Sequence, residues 1–283
     1  PTQVQDQGVL TLPDDQPFGV RFKEVSFSYH EGVEVLRHLS FNLQPGEKLG
    51  LLGRTGSGKS TISRLLFRLY DVEQGEILLN GDNLQQLRLA DLRQRIGLVT
   101  QEVQLFPASL RDNLTLFNPQ FSDEQIWENL RRLGLEEWVQ AMPAGLETRL
   151  AAEGKSLSAG EAQLLALARV FLKDPGLVIL DEASSRLDPA TERLLERSLD
   201  HLLAGRTAII IAHRLATVRR ADAILILEAG EMQEFGAYQE LANDPNSRFA
   251  QLLRTADLGL ENGTSGRRQA LEGVAAQFAE VIA

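Results

Sequence analysis

Two kinds of apolar pattern run along this chain. In VRFKEVSFSY (residues 20–29) and LSFNL (39–43) apolar and polar positions alternate, which predicts strands of a half-buried, antiparallel sheet. KLGLLG (48–53), RQRIGLVTQ (93–101), GLVILDE (176–182) and RTAIIIAHR (206–214) are instead short, nearly continuous apolar runs, as expected of strands buried on both faces. Between them, KSTISRLLFRLYD (59–71), ATERLLERSLDHLLAG (190–205) and the stretch after Ser158 carry apolar residues at helical spacing. GEILLNGDNL (75–84) reads as a strand and turn, and AILILEAGEMQEFG (223–236) as a terminal hairpin around EAGE. Residues 105 to about 150 read as mostly helical, and SDEQ at Ser122–Gln125 matches a capping box. Strands alternating with helices predict an α/β core with a mostly parallel sheet. An N-terminal antiparallel β subdomain and an inserted helical subdomain, about residues 102–172, are additions to it.

Residues 1–17 are rich in Gln, Asp and Pro and read as a linker or arm. The folded domain proper is expected over 18–254. From 255 to 283 a Gly/Asn/Ser-containing stretch precedes a candidate amphipathic helix, read as a C-terminal extension. The chain does not begin with Met, which suggests a piece of a longer polypeptide.

Composition narrows the chemistry. The net charge is -10 over 283 residues, so no domain-wide basic surface is available to neutralise nucleic-acid phosphates, and no nucleic acid is expected as a partner. There is no cysteine, which removes disulfides, thiol catalysis and cysteine-ligated metals; four scattered histidines do not pair into a metal site. No apolar run reaches the ~18 residues of a membrane span.

GRTGSGKST, Gly53–Thr61, fits G-x-x-x-x-G-K-[ST] in full, between a buried strand and an amphipathic helix. Glycines let backbone N–H groups curl round phosphate oxygens, and the helix N-terminus adds unpaired donors and a favourable dipole. The loop Gly53, Arg54, Thr55, Gly56, Ser57, Gly58, Lys59, Ser60, Thr61 is thus the candidate nucleotide cradle of a P-loop NTPase core. Lys59 reaches the β and γ phosphates, and Ser60 ligates Mg²⁺. Asp181, at the tip of the buried run LVILD, is placed for the same metal, and Glu182 to take a proton from an attacking water. His213 and Gln101 end two further buried runs at the edge where ligands bind in such sheets. A neutral imidazole there could hold a γ-phosphate oxygen or the water. The Gln101 amide could contact Mg²⁺ and water.

The order of these pieces resembles the nucleotide-binding domain of ATP-binding cassette transporters. Tyr29 precedes the phosphate loop, then follow TQEVQLF, LSAGEAQ, LVILDEASSRLD and IAHR, so the likeness covers roughly residues 18–254. The resemblance implies ATP and Mg²⁺ as cofactors. Tyr29 would stack on adenine, Gln101 would couple the site to a membrane domain, and Ser158 and Gly160 would touch the γ-phosphate held by a second nucleotide-binding domain. Glu182 would be the general base, Asp188 would organise the dimer contact and His213 would be the switch histidine. It further implies a head-to-tail homo- or heterodimer. Transmembrane domains would lie upstream on the native chain, and the cassette on the cytoplasmic face of the membrane. QEVQLFPASLRDNL and Ala183 after the glutamate look more like exporters than importers. The alternative is a non-transport cassette ATPase acting as an ATP-gated clamp in a soluble complex.

One stretch departs from the family pattern. The usual signature reads Leu-Ser-Gly-Gly-Gln; here Ala159 and Glu161 replace the first glycine and the glutamine. Ala159 is harmless if its backbone is already helical. Ser158 and Glu161 form S-x-x-E, a capping box, and a carboxylate in a first helical turn gains about 0.3–1 kcal/mol from the dipole. Facing a phosphate at ~8 Å, the same carboxylate would be repelled by about 2 kcal/mol. The two replacements are expected to be tolerated, and the direction of the Glu161 side chain, back onto its own helix or toward the phosphates, is left open by the sequence.

Overall fold

The computed structural model describes residues 4–13, 17–30, 32–100, 102–151, 157–181, 188–212 and 215–261. Strands β1 (Val20–His30), β2 (Val33–Leu43), β4 (Gln74–Leu79) and β5 (Asp82–Asn83) form an antiparallel sheet in the order β2-β1-β4-β5. A second sheet runs β10 (Glu231–Ala237), β9 (Ala223–Glu228), β3 (Lys48–Leu52), β8 (Thr207–Ile211), β7 (Leu177–Asp181), β6 (Ile96–Val99). Its five strands from β9 to β6 are parallel, and β10 closes one edge as the antiparallel arm of a hairpin. The hairpin turns through Ala229 and Gly230, both with positive φ, as a tight two-residue connection requires. The fold is therefore the α/β class expected, with the antiparallel sheet packed beside the mostly parallel one.

The alternation in β1 slips by one residue at Lys23-Glu24. Glu24 takes a left-handed conformation (φ 46°), and the register shifts between Phe22 and Val25, so both side chains point inward. His38 (φ 44°) does the same in β2, between Leu36 and Leu39. These bulges keep Phe22, Val25, Phe27, Leu36 and Leu39 on one buried face, where Phe22 stacks on Phe41 at 4.6 Å.

The parallel strands divide their side chains between two cores. Leu49, Leu51, Ile179, Ile209 and Ile211 join the antiparallel sheet and helix α1 (Lys59–Leu66). Val178, Leu180, Ala208, Ile210 and Ile224 face the opposite way, into a helical layer. Burial on both faces is why these runs lack alternation. Helices α2 (Leu89–Arg95), α3 (Leu110–Thr115), α4 (Asp123–Arg132) and α5 (Glu136–Gln140) follow the first half of the chain, and α6 (Ala159–Lys173) and α7 (Pro189–Leu203) flank β7 in sequence. The remaining helices are α8 (Leu215–Val218), α9 (Tyr238–Asn243) and α10 (Arg248–Glu261). α6 packs on α3, α4, α7 and β6. The capping box read at Ser122–Gln125 is present at the start of α4, with both reciprocal hydrogen bonds. Among the described residues no helix is long and apolar enough to cross a membrane.

Candidate nucleotide site

The glycine-rich loop leaves β3 at the C-terminal edge of the parallel sheet and enters α1. Gly53, Gly56 and Gly58 all have positive φ (150°, 80° and 106°), so three turns of the loop use backbone that side chains avoid. Gly53 sits hard against β9, since a Cβ there would lie 2.1 Å from the Leu227 carbonyl oxygen. Gly58 is the left-handed N-cap of α1. Lys59 folds back under the loop, its ammonium donating to the carbonyls of Gly53 (2.5 Å) and Arg54 (2.7 Å). It is only 6 % exposed. Burial pushes the ammonium below its ordinary pKa, and the carboxylate of Asp181 opposes that shift. A buried cation ringed by carbonyls at a helix N-terminus favours an anion as its next neighbour. The Ser57 hydroxyl is buried and has no hydrogen-bond partner among the described residues. Arg54, Thr55, Gly56 and Ser60 are exposed along the rim, and Thr61 is buried.

Asp181 ends β7 and pairs in register with Ile211 of β8, which pairs with Leu51 of β3. Two strand spacings separate Asp181 from Leu51, about 10 Å, so carboxylate and phosphate loop share one edge. The residue types fit a hard divalent cation beside a phosphate: the Ser60 hydroxyl on the first turn of α1 and a carboxylate at the strand tip. Gln101, Glu182 and His213 lie outside the described residues. The residues that lead into them, Thr100, Asp181 and Ala212, are at this same edge of β6, β7 and β8.

Tyr29 lies near the end of β1. Its hydroxyl donates to Thr61 Oγ1 (3.1 Å) and accepts from Arg64 (3.0 Å), both on α1. Its ring meets Phe27 and Tyr70 edge-on at 4.9 and 5.1 Å. The half-buried aromatic is thereby tied to the helix that the loop enters.

Ser158 and Gly160 are not brought to this loop. They open α6, which packs beside β6, three strands from β3. Ser158 is the exposed N-cap of α6, and its Oγ accepts from the Glu161 N–H at 3.3 Å. Ala159 is the first helical residue, so the missing glycine costs no backbone strain. Glu161 folds back onto its own helix: its Oε2 accepts the Ser158 N–H at 2.8 Å. Its other oxygen accepts the indole N–H of Trp138, on α5, at 3.3 Å. Sequence reasoning missed Trp138 because nothing local links it to a residue 23 positions on. Asp188 caps α7, accepting from the N–H groups of Ala190 (3.1 Å) and Thr191 (3.0 Å). Hydrogen bonding by Thr191, side chain first, holds its carboxyl below the usual range. Also unread in the sequence was a charge chain from the loop to α10. Arg54 lies 4.0 Å from Glu228, which pairs with Arg248 at 2.8 Å.

The ABC transporter family model matches residues 36–185. The chain belongs to the ABC transporter family. Among curated members, it is 42 % identical over 222 residues to the probable multidrug resistance ABC transporter ATP-binding/permease protein YheH of Bacillus subtilis, covering 78 % of the chain and 33 % of that protein. It is 38 % identical over 264 residues to the human mitochondrial iron–sulfur clusters transporter ABCB7, covering 92 % of the chain and 35 % of the relative. Among solved structures, a bacterial Atm1-family ABC exporter with ATP bound superposes with a TM-score of 0.81 at 32 % identity, over 90 % of the chain and 44 % of the exporter. The chain thus spans about a third of the length of these two curated relatives. These likenesses favour the motor-domain reading of the sequence over a clamp in a soluble complex.

Proposed function

We propose that this chain is the ATP-hydrolysing motor domain of an exporter-type ABC transporter, held at the cytoplasmic face of a membrane. Its native partners would be transmembrane domains upstream and a second nucleotide-binding domain. The observation that carries this reading is the buried Lys59 ammonium under a glycine-turned loop, one sheet edge shared with Asp181. We assign residues 18–254 to the cassette, with its helical subdomain at about 102–172, and 1–17 and 255–283 to a linker and a C-terminal extension.

In this mechanism the loop from Gly53 to Thr61 and Lys59 bind the phosphates of ATP, and Tyr29 offers a ring face to the adenine. Ser60, Asp181 and Gln101 would hold Mg²⁺, which would supply positive charge against the phosphates of ATP. Glu182 takes the proton of the attacking water, and His213 orients the γ-phosphate. Ser158 and Gly160 serve a partner's nucleotide; their distance from the chain's own loop in the sheet order supports a role in trans. Asp188, exposed at the head of α7, contributes to the dimer contact. Phe106 and Phe117 stand edge-to-face at 5.4 Å with 37 % and 53 % of their surface exposed, an apolar pair suited to a membrane-domain contact. Glu182→Gln should abolish turnover while leaving an ATP-induced dimer stable on size-exclusion chromatography. Undiminished turnover in that variant would remove Glu182 from the base role.

A further inference from the structure

We propose that Trp138 is a positioning residue for the turn Ser158-Ala159-Gly160, and that it makes glutamate rather than glutamine the fitting side chain at position 161. The inference rests on the functional reading above, which puts this turn against a partner's ATP. Three hydrogen bonds define the arrangement. The Ser158 N–H reaches Glu161 Oε2 at 2.8 Å, the Glu161 N–H reaches Ser158 Oγ at 3.3 Å, and the Trp138 indole N–H reaches Glu161 Oε1 at 3.3 Å. The first two lock the turn to its own helix. The third locks it to α5, because the Trp138 ring packs against the helical-layer core beside buried Val139.

The chemistry of the acceptor decides the pairing. A carboxylate has two oxygens and no hydrogen, so it takes the backbone N–H on one and the indole N–H on the other. An amide has one oxygen and one NH₂. If glutamine at 161 turned its oxygen to the Ser158 N–H, its NH₂ would meet the indole N–H, donor against donor. If it turned its oxygen to the indole, the cap would be lost. The position therefore couples to Trp138: the charged side chain is spent on two protein donors, and the exposed Ser158 hydroxyl is left presented at the helix N-terminus. The two bonds made by Glu161 also answer its repulsion from a neighbouring phosphate, since both oxygens are engaged by donors of this chain.

A double-mutant cycle on the 283-residue chain tests this, with two readouts. In ¹⁵N-labelled protein the two tryptophans, Trp127 and Trp138, give two indole N–H peaks; Trp138→Phe identifies the second. Glu161→Gln should move the Trp138 peak and leave that of Trp127 in place. In turnover, Trp138→Phe and Glu161→Gln should each raise the KM for MgATP about fivefold, the net worth of one hydrogen bond, with kcat within about twofold. The combined variant should recover, because phenylalanine removes the clashing donor; its KM should lie below that of Glu161→Gln alone. Losses that add in the double variant, a KM unmoved by Trp138→Phe, or a Trp138 peak indifferent to Glu161→Gln would each overturn the proposal. Wild-type protein without turnover, but with the peak shift intact, would instead overturn the functional reading and take the role of the contact with it.

Discussion

Replacing Gly53 and Gly56 separately by alanine divides the loop's packing from its conformational freedom. Both glycines have positive φ, but their surroundings differ. A Cβ on Gly53 would lie 2.1 Å from the Leu227 carbonyl oxygen and 2.7 Å from Ser57 Oγ, whereas one on Gly56 would meet nothing within 4 Å. To clear even 3.0 Å, the loop and β9 must part by about 0.9 Å. That motion works against the ladder in which Leu51 and Leu52 pair with Leu225 and Ile226. Overpacking of this kind costs about 1–3 kcal/mol, and the disallowed backbone a further ~1–3 kcal/mol. Gly56→Ala meets only the backbone term, about 1–2 kcal/mol. At roughly 2–4 °C per kcal/mol for a chain of this size, Gly53→Ala should melt roughly 4–24 °C lower and Gly56→Ala roughly 2–8 °C lower. Thermal unfolding followed by circular dichroism without nucleotide measures this, since bound ligand would otherwise shift both midpoints. MgATP affinity, taken from titration, should fall in Gly56→Ala beyond what its small stability loss explains. Equal midpoints for the two variants would refute the reasoning, because the seat of Gly53 on β9 would then contribute nothing.

Two further outcomes follow from other parts of the molecule. Burial pushes the Lys173 ammonium down to about 8, although it donates to the carbonyls of Arg93 and of Ile96 (3.0 Å). The folded state then binds fewer protons than the unfolded chain between pH 8 and the ordinary lysine pKa of 10.5, so this group's contribution to stability should rise with pH across that window. Urea midpoints of wild type minus those of Lys173→Met should show the rise, and a flat difference would remove it. Phe117→Ser should lower the stability of the isolated domain by no more than about 1.5 kcal/mol, the worth of one aromatic pair, and leave its basal ATPase intact. On the proposed function, the same change in a transporter that carries this domain should uncouple ATPase from transported substrate, read as lost stimulation.

The strands and the phosphate loop were legible because their signals are local. A glycine-rich loop between a buried strand and a helix specifies its backbone residue by residue, and runs buried on both faces announce a parallel sheet. The capping boxes at Ser122 and Ser158 were legible for the same reason, since both partners lie within one helical turn. The bulges at Glu24 and His38 were not, because only the demand of a shared buried face makes a strand slip its alternation there.

What the sequence determined alone was therefore the chemistry available at each strand end: Lys59 and Ser60 after β3, Asp181 at the tip of β7. Only the tertiary structure decided how these ends are arranged. Strand order puts β7 two places from β3, within reach of one ligand, while α6 meets the far strand β6 with its Lys173 end and carries the Ser158 turn at its other end. It also settled Glu161, whose direction no local rule could choose. The dipole and the cap favoured one rotamer and a phosphate disfavoured another. The Trp138 indole, brought in by helix packing, supplies the second donor that holds the carboxylate back. Local sequence sets which hydrogen bonds a residue can make, and packing from distant segments decides which of them are made.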